Sequence, residues 1–168
     1  ETEIFNTMQG KKSGIKLKLN SLSDNRLIDR LYAASRAGVK IQLIVRGICC
    51  LIPGVKAMSE NIEVISVVDK FLEHPRLYIF ENDGAPKIYI SSADFMRRNL
   101  DTRVEISCPI YDQQIKEEIL ETFAISWSDN VKARCITQKQ DNLYRKNNNP
   151  KVRSQFALYA YYKNKLEN

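Results

Sequence analysis

The chain has 168 residues, of which 43% are hydrophobic and 27% charged, enough apolar material for one domain that folds without disulfide or metal staples. Its longest apolar runs, such as 41–45, fall far short of the roughly 20 residues that a membrane-crossing helix needs, so no such helix is expected. The formal net charge is +6, but residues 1–130 hold 17 Lys and Arg against 18 Asp and Glu while residues 131–168 hold 9 against 2, so the basic excess belongs to the tail and argues against a uniformly basic groove for duplex DNA.

The first stretch, ETEIFNTMQG, has no initiator Met, basic n-region or apolar h-region, and residues 1–14 are expected to be a segment leading in from an upstream part of a longer protein. GIKLKLN (14–20) alternates as a strand does. SDNRLIDRLYAASRAG (23–38) predicts a helix with Ser23 as N-cap, Leu27, Ile28, Leu31, Ala34 and Ser35 on one face, and Gly38 as the stop. VKIQLIVRG (39–47) is a β-branched run closed by glycine, which completes a β-α-β unit with parallel strands. IEVISVV (62–68) is a further strand. RLYIFEN and KIYISSA flank DGAP and predict a hairpin. RVEISCPI (103–110) reads as a strand, Asp112 as the cap of a helix through about Phe123 with Ile115, Ile119, Leu120 and Phe123 inward, and VKARCIT (131–137) as a last strand. Residues 138–153 are polar, asparagine-rich and basic and predict a loop or disordered arm. SQFALYAYYKNKLE predicts a closing helix over 154–168 whose aromatic residues form a buried face. The class is α/β, with the main domain over 15–137.

Cys49, Cys50, Cys108 and Cys135 form no C-x-x-C pair, and His74, the only histidine, has no second imidazole with which to complete a zinc site. Reduced thiols of a cytosolic protein are expected, with Cys49 and Cys50 lining a strand end rather than forming a redox pair.

The residue types that recur at the strand ends are those that hold phosphate. Arginine is always charged, and its planar fork matches two phosphate oxygens. Arg46 ends a strand at Arg-Gly, just beyond the carboxyl edge where open α/β sheets collect ligands. His74 lies two residues before Arg76, and Ser92, Asp94, Arg97, Arg98 and Arg103 follow the hairpin. Lys18 and Asn20 end the first strand and are placed beside the same cleft, although a solvated lysine and a turn asparagine explain them equally well. Asp94 is expected to orient Arg98 or Arg103, and Glu73 to be a surface partner of His74.

H-x-R followed by S-x-D resembles a degenerate phospholipase D signature, H-x-K followed by G-S-x-N, with Arg76 for Lys and Asp94 for Asn. The strings AGVKIQLIVRGICCLIPGV, SENIEVISVVDKFLEHPRLYIF and YISSADFMRRNLDTRVEISCPI resemble more closely the C-terminal, phospholipase-D-like domain of the polyphosphate kinase family, over roughly residues 15–125. That resemblance implies a mixed sheet flanked by helices with a C-terminal helix. It also implies reversible transfer of the terminal phosphate of ATP to inorganic polyphosphate through a phosphohistidine, with magnesium. By the same likeness Arg46, His74 and Arg103 contact ATP or polyphosphate phosphates, and His74 assists catalysis. The phosphohistidine and the arginines associated with magnesium belong to the preceding domain of the family, so metal ligands are expected outside this chain and the isolated chain is expected to be inactive. The implied partners are ATP or ADP, polyphosphate, upstream domains of the same polypeptide and further copies in a homo-oligomer, in the cytoplasm and open to peripheral membrane association.

Two other classes stay open from the sequence. One is a phospholipase-D-type phosphodiesterase or nuclease in which a homodimer supplies the second histidine. The other is a non-catalytic polyanion-binding module that uses the basic tail.

Overall fold

The computed structural model describes residues 1–167. In chain order the elements are α1 (Thr2–Met8), β1 (Ile15–Leu19), α2 (Asn25–Arg36), β2 (Ile41–Val45), β3 (Ile62–Val67), β4 (Leu77–Phe80), β5 (Lys87–Ser91), α3 (Arg97–Asp101), β6 (Ser107–Ile110), α4 (Gln113–Trp127), β7 (Ala133–Ile136) and α5 (Ser154–Glu167). The strands form one seven-stranded sheet in the order β6-β5-β4-β1-β2-β3-β7. β1, β2 and β3 run parallel, while β4, β6 and β7 each run antiparallel to a neighbour.

The alternation of β1 divides the core in two. Ile15, Leu17 and Leu19 face α2 and pack with Ile28, Leu31 and Ala34, together with Ile41, Leu43 and Val45 of β2. On the other face Ile44, Ile65, Ile79 and Ile88 pack against Phe123, with Ile119, Leu120 and Trp127 of α4 around them. The period-2 pattern of the strands and the helical period of α2 and α4 thus produce a sheet covered on both faces. α2 starts one residue later than expected: Asp24, not Ser23, is the N-cap, its carboxylate accepting the Leu27 N–H at 3.2 Å. Gly38, at φ +95°, releases the chain into β2.

Residues 1–14 are more than a linking segment. They hold α1, whose Glu3 is buried and accepts the backbone N–H groups of Gly14 and Asn82, each at 2.9 Å. One carboxylate therefore ties the start of the chain to the β4–β5 turn. That turn, Asn82–Gly84, has three consecutive positive φ values (46°, 58° and 84°), which Asn, Asp and Gly adopt most readily.

Other departures are local. The strand expected over 103–110 is regular only as β6, the sheet's last strand on that side, in which Pro109 stands opposite Tyr89. Asp112 caps α4 as expected, accepting from Ile115 N at 2.9 Å, but the helix runs to Trp127, and Ile115, a turn before the buried cluster, is 50% exposed.

α5 begins at the expected Ser154 and is described to Glu167, Asn168 lying outside the described residues, but its burial is not the expected one: Phe156, Tyr159 and Tyr162 are exposed, whereas Ser154 and Gln155 of its first turn are buried. Its aromatic residues are spread around the helix and define no single inward face.

Residues 138–153, expected as a loop or a disordered arm, contain no helix or strand and are laid down on the body as a loop. Cys135 N donates to Leu143 O at 2.9 Å, Arg145 N to Ala133 O at 2.8 Å, and the guanidinium of Arg145 covers the Trp127 ring at 5.1 Å.

Asp129 joins this C-terminal segment to the sheet. Fully buried, it accepts the N–H groups of Val131, Lys132 and Ala133 on one oxygen (3.0, 2.7 and 2.9 Å) and that of Ser154 on the other (2.7 Å). Burial alone would raise its pKa, but the Ser154 and Lys132 N–H groups, with the further bonds, outweigh it and hold the carboxyl below the usual carboxylate range. Asp129→Asn is expected to destabilise the chain by about 2–4 kcal/mol at pH 7. Because the folded pKa is depressed, that contribution is complete above the unfolded value near pH ~4 and is lost as pH falls through the folded value. Urea midpoints of the two proteins measured against pH should therefore converge in acid.

Candidate functional site

The strand directions place the carboxyl ends of β1, β2, β3 and β5 at the same end of the sheet as the amino ends of β4, β6 and β7. Asn20, Arg46, Arg76 and Asp94 therefore converge there without being near in sequence, at the end where open α/β sheets bind ligands. A cavity of about 470 Å³ lies at the opposite end, between the start of β3 and the end of β7, away from these groups.

Asp94 organises the cluster. Its buried carboxylate accepts the N–H groups of Asn20 and Ser21 at 2.8 and 3.0 Å on Oδ1, and the Arg76 guanidinium at 2.8 Å on Oδ2. Burial opposes its charge, yet Arg76 and the two N–H groups outweigh burial and hold the pKa below the ordinary range. The Tyr78 hydroxyl donates to Ala93 O at 2.5 Å and Phe95 N to Ser21 O at 3.2 Å, so the segment carrying Asp94 is pinned on both sides.

The exit of β1, fixed in this way, aims the next side chain. Asn20 Oδ1 accepts a hydrogen bond from Arg46 Nη2, continuing the register in which Leu19 pairs with Val45. Among the described residues no carboxylate lies within ion-pair distance of Arg46, and its Nε is buried without an acceptor. A buried N–H left in that state costs about 1–3 kcal/mol. The following Gly47 is required by close approach, since a Cβ there would stand 2.9 Å from the Asn20 carbonyl oxygen.

His74 lies in the connection before β4. Its carbonyl accepts from Arg76 Nη1 at 3.3 Å, and its imidazole, which is exposed, makes no hydrogen bond among the described residues. Lys18 is 2.5 Å from Glu73, whose other oxygen accepts from Gln155 at 2.9 Å. A cavity of about 230 Å³ opens beside this pair and is lined also by Pro75, Ser126 and Tyr162. Arg103 is exposed, in the irregular segment between α3 and β6. Its charge helps to hold the Glu105 pKa down, after the hydrogen bonds from Ser92 and Asn99.

Arg46 and Arg76 are thus joined through Asn20 and Asp94, and His74 adjoins them through its backbone. Arg103 precedes β6, which stands four places from β2 in the strand order. Arg97 and Arg98 are exposed, and Arg97 pairs with Asp101 at 3.4 Å. Two pairings differ from expectation: Asp94 holds Arg76, not Arg98 or Arg103, and Glu73 binds Lys18 and Gln155, not His74.

The hairpin register contained a signal for the first pairing. Leu77 opposite Ile90 puts Arg76 level with Ser91, within reach of Asp94. Gln155 carried no signal, because nothing in a helix sequence says which loop its first turn meets.

The described residues include no cluster of three or more His, Cys, Asp or Glu that would hold a metal ion. Asp94 spends its lone pairs on N–H donors, so it offers magnesium no ready ligand. The cysteines are unpaired, and burial pushes the Cys49 thiol up to about 11, which leaves little thiolate at neutral pH.

The mixed sheet covered by helices on both faces is a phospholipase-D-like fold. The Nuc protein of Salmonella typhimurium, a phospholipase D family member, superposes with a TM-score of 0.58 at 15% identity over 80% of this chain and 88% of its own, a likeness of fold alone. Residues 1–155 match the family described as polyphosphate kinase C-terminal domain 2, and the chain belongs to that family. The polyphosphate kinase of Vibrio vulnificus strain YJ016 is 51% identical over 165 residues, which are 98% of this chain and 24% of that protein. The crystal structure of the Porphyromonas gingivalis polyphosphate kinase superposes with a TM-score of 0.96 at 46% identity over 99% of this chain and 26% of its own. The chain spans about a quarter of the length of these relatives.

Gly47→Ala should force the Asn20 carbonyl away from its position, with a loss of about 1–3 kcal/mol and a thermal midpoint lower by about 5 °C. A calorimetric scan checks this, and an unchanged midpoint would show that the two strands separate freely at this point.

Proposed function

We propose that the chain forms one wall of the ATP and polyphosphate site of a polyphosphate kinase, which moves the terminal phosphate of ATP reversibly onto inorganic polyphosphate. The observation that carries this reading is Arg46. It is a guanidinium at the carboxyl end of β2, held by a neutral asparagine, with a buried Nε that lacks an acceptor. Phosphoryl transfer is mostly positioning and charge stabilisation, and an arginine left unneutralised suits both. Arg76, Lys18 and Arg153 each already have a carboxylate partner.

In this reading Arg46 grips a phosphate of the nucleotide, and His74 donates a hydrogen bond or a proton to a phosphate or leaving oxygen. Arg103, further across the sheet end, meets the extended polyanion. The phosphohistidine and the ligands of magnesium lie in upstream domains of the same polypeptide, which in the full-length enzyme assembles as a homo-oligomer in the cytoplasm. The isolated chain is then a binding surface without turnover. A dimeric diesterase is less well supported, because it needs a free cation beside the histidine and Arg76 is committed to Asp94.

In the full-length enzyme Arg46→Ala and His74→Ala should each lower transfer from ATP by about 10–100-fold while leaving the unfolding transition in place. Wild-type kinetics in both variants would remove the site assignment. If the basic tail rather than the sheet end holds polyphosphate, replacing Lys139, Lys146 and Lys151 by Glu should weaken binding and flatten its salt dependence, because fewer counterions are released. We expect Arg46→Ala to have the larger effect in an affinity titration with polyphosphate.

A further inference from the structure

The connection 68–76 between β3 and β4 carries His74 and has no helix or strand of its own. Three contacts from the start of the C-terminal helix hold it. Arg153 grips Asp69 with two hydrogen bonds, of 2.8 and 2.7 Å. The side-chain amide of Gln155, which is buried, accepts from Phe71 N at 2.9 Å and donates to Phe71 O at 2.8 Å, as a neighbouring strand would. The same Nε2 donates to Glu73 Oε1 at 2.9 Å, while Glu73 Oε2 takes the Lys18 ammonium. The helix start is itself fixed, since Ser154 N is bonded to Asp129. The residue before His74 is therefore held from α5 on one side and from β1 on the other, whereas the imidazole has no hydrogen bond of its own among the described residues.

We infer that the first turn of α5 and the residue before it form a clamp that sets the position of His74, with Gln155 as its central positioning residue and Arg153 as its outer one. A side chain with no direct restraint takes its place from its backbone, and a connection of this length without its anchors moves on the nanosecond to microsecond scale. Positioning errors of about 1 Å can cost about a hundredfold in rate, so the clamp acts on turnover although neither residue touches substrate.

The inference rests on the reading of His74 given above, and the test separates the two. In the full-length enzyme, kcat and KM for ATP are measured for Gln155→Ala, Arg153→Gln, His74→Ala and the two double variants with His74→Ala, and each unfolding midpoint is recorded. Gln155→Ala should lower kcat about tenfold and leave KM within about twofold. In the His74→Ala background the same change should alter kcat less than about twofold, because the group it positions is gone. Should Gln155→Ala fail to fold, Arg153→Gln, at the more exposed end of the clamp, supplies the same comparison. A slow His74→Ala enzyme combined with multiplicative losses, or with wild-type kcat in both clamp variants, would overturn the clamp alone. A wild-type rate for His74→Ala would overturn the functional reading and this inference with it.

Discussion

Asp94 is the acid on which the geometry of the sheet end depends. A carboxylate buried in a protein interior loses several kcal/mol of hydration, and it stays ionised here because three donors converge on it: the N–H groups of Asn20 and Ser21 and the guanidinium of Arg76. The three donors come from two structural contexts. The two N–H groups belong to the chain leaving β1, and Arg76 belongs to the chain entering β4, so one charge locks the central parallel strand to the hairpin. The arrangement is cooperative, since loss of either the acid or the arginine leaves its partner charged, buried and unpaired.

This lock explains why cations at the same end of the fold differ in character. Arg76 is neutralised and structural. Arg46, one step further along the network, receives only the dipole of the Asn20 amide, so its charge stays available while its direction is fixed. A binding site for a polyanion needs that combination, because an arginine already paired with a carboxylate would have to give up one anion to hold another. The same contrast divides the C-terminal segment. Its basic charge is partly spent on structure, with Arg153 on Asp69, Lys165 on Glu118, Arg145 over Trp127 and Arg134 over Tyr144.

The sequence displayed the fold through its periodicities. The apolar alternation of 15–19, the spacing of Ile28, Leu31 and Ala34, and the Asp112 cap are local signals, and the elements they mark form as read. Elements held by distant partners were not legible. α1 depends on Glu3 meeting the N–H groups of Gly14 and Asn82, and a buried glutamate looks in sequence like any exposed one. The aromatic residues of α5 misled for a related reason: the helix is held by its polar first turn, Ser154 and Gln155, not by a greasy face. At the candidate site residue types were readable but pairings were not. Arg46, His74 and Arg103 were marked by their positions at strand ends and by family likeness, whereas the Asp94–Arg76 and Glu73–Gln155 contacts required the register and the path of the tail.

The outer border of the sheet at β6 carries a last consequence. Val104, Ile106 and Tyr111 around it are exposed apolar side chains, the kind of rim that invites another chain to add a strand and propagate. Pro109 sits in the middle of that border and has no N–H to offer a newcomer, so the row of donors is interrupted where accretion would begin. An oily rim can therefore remain on this side of the molecule without seeding fibrous growth.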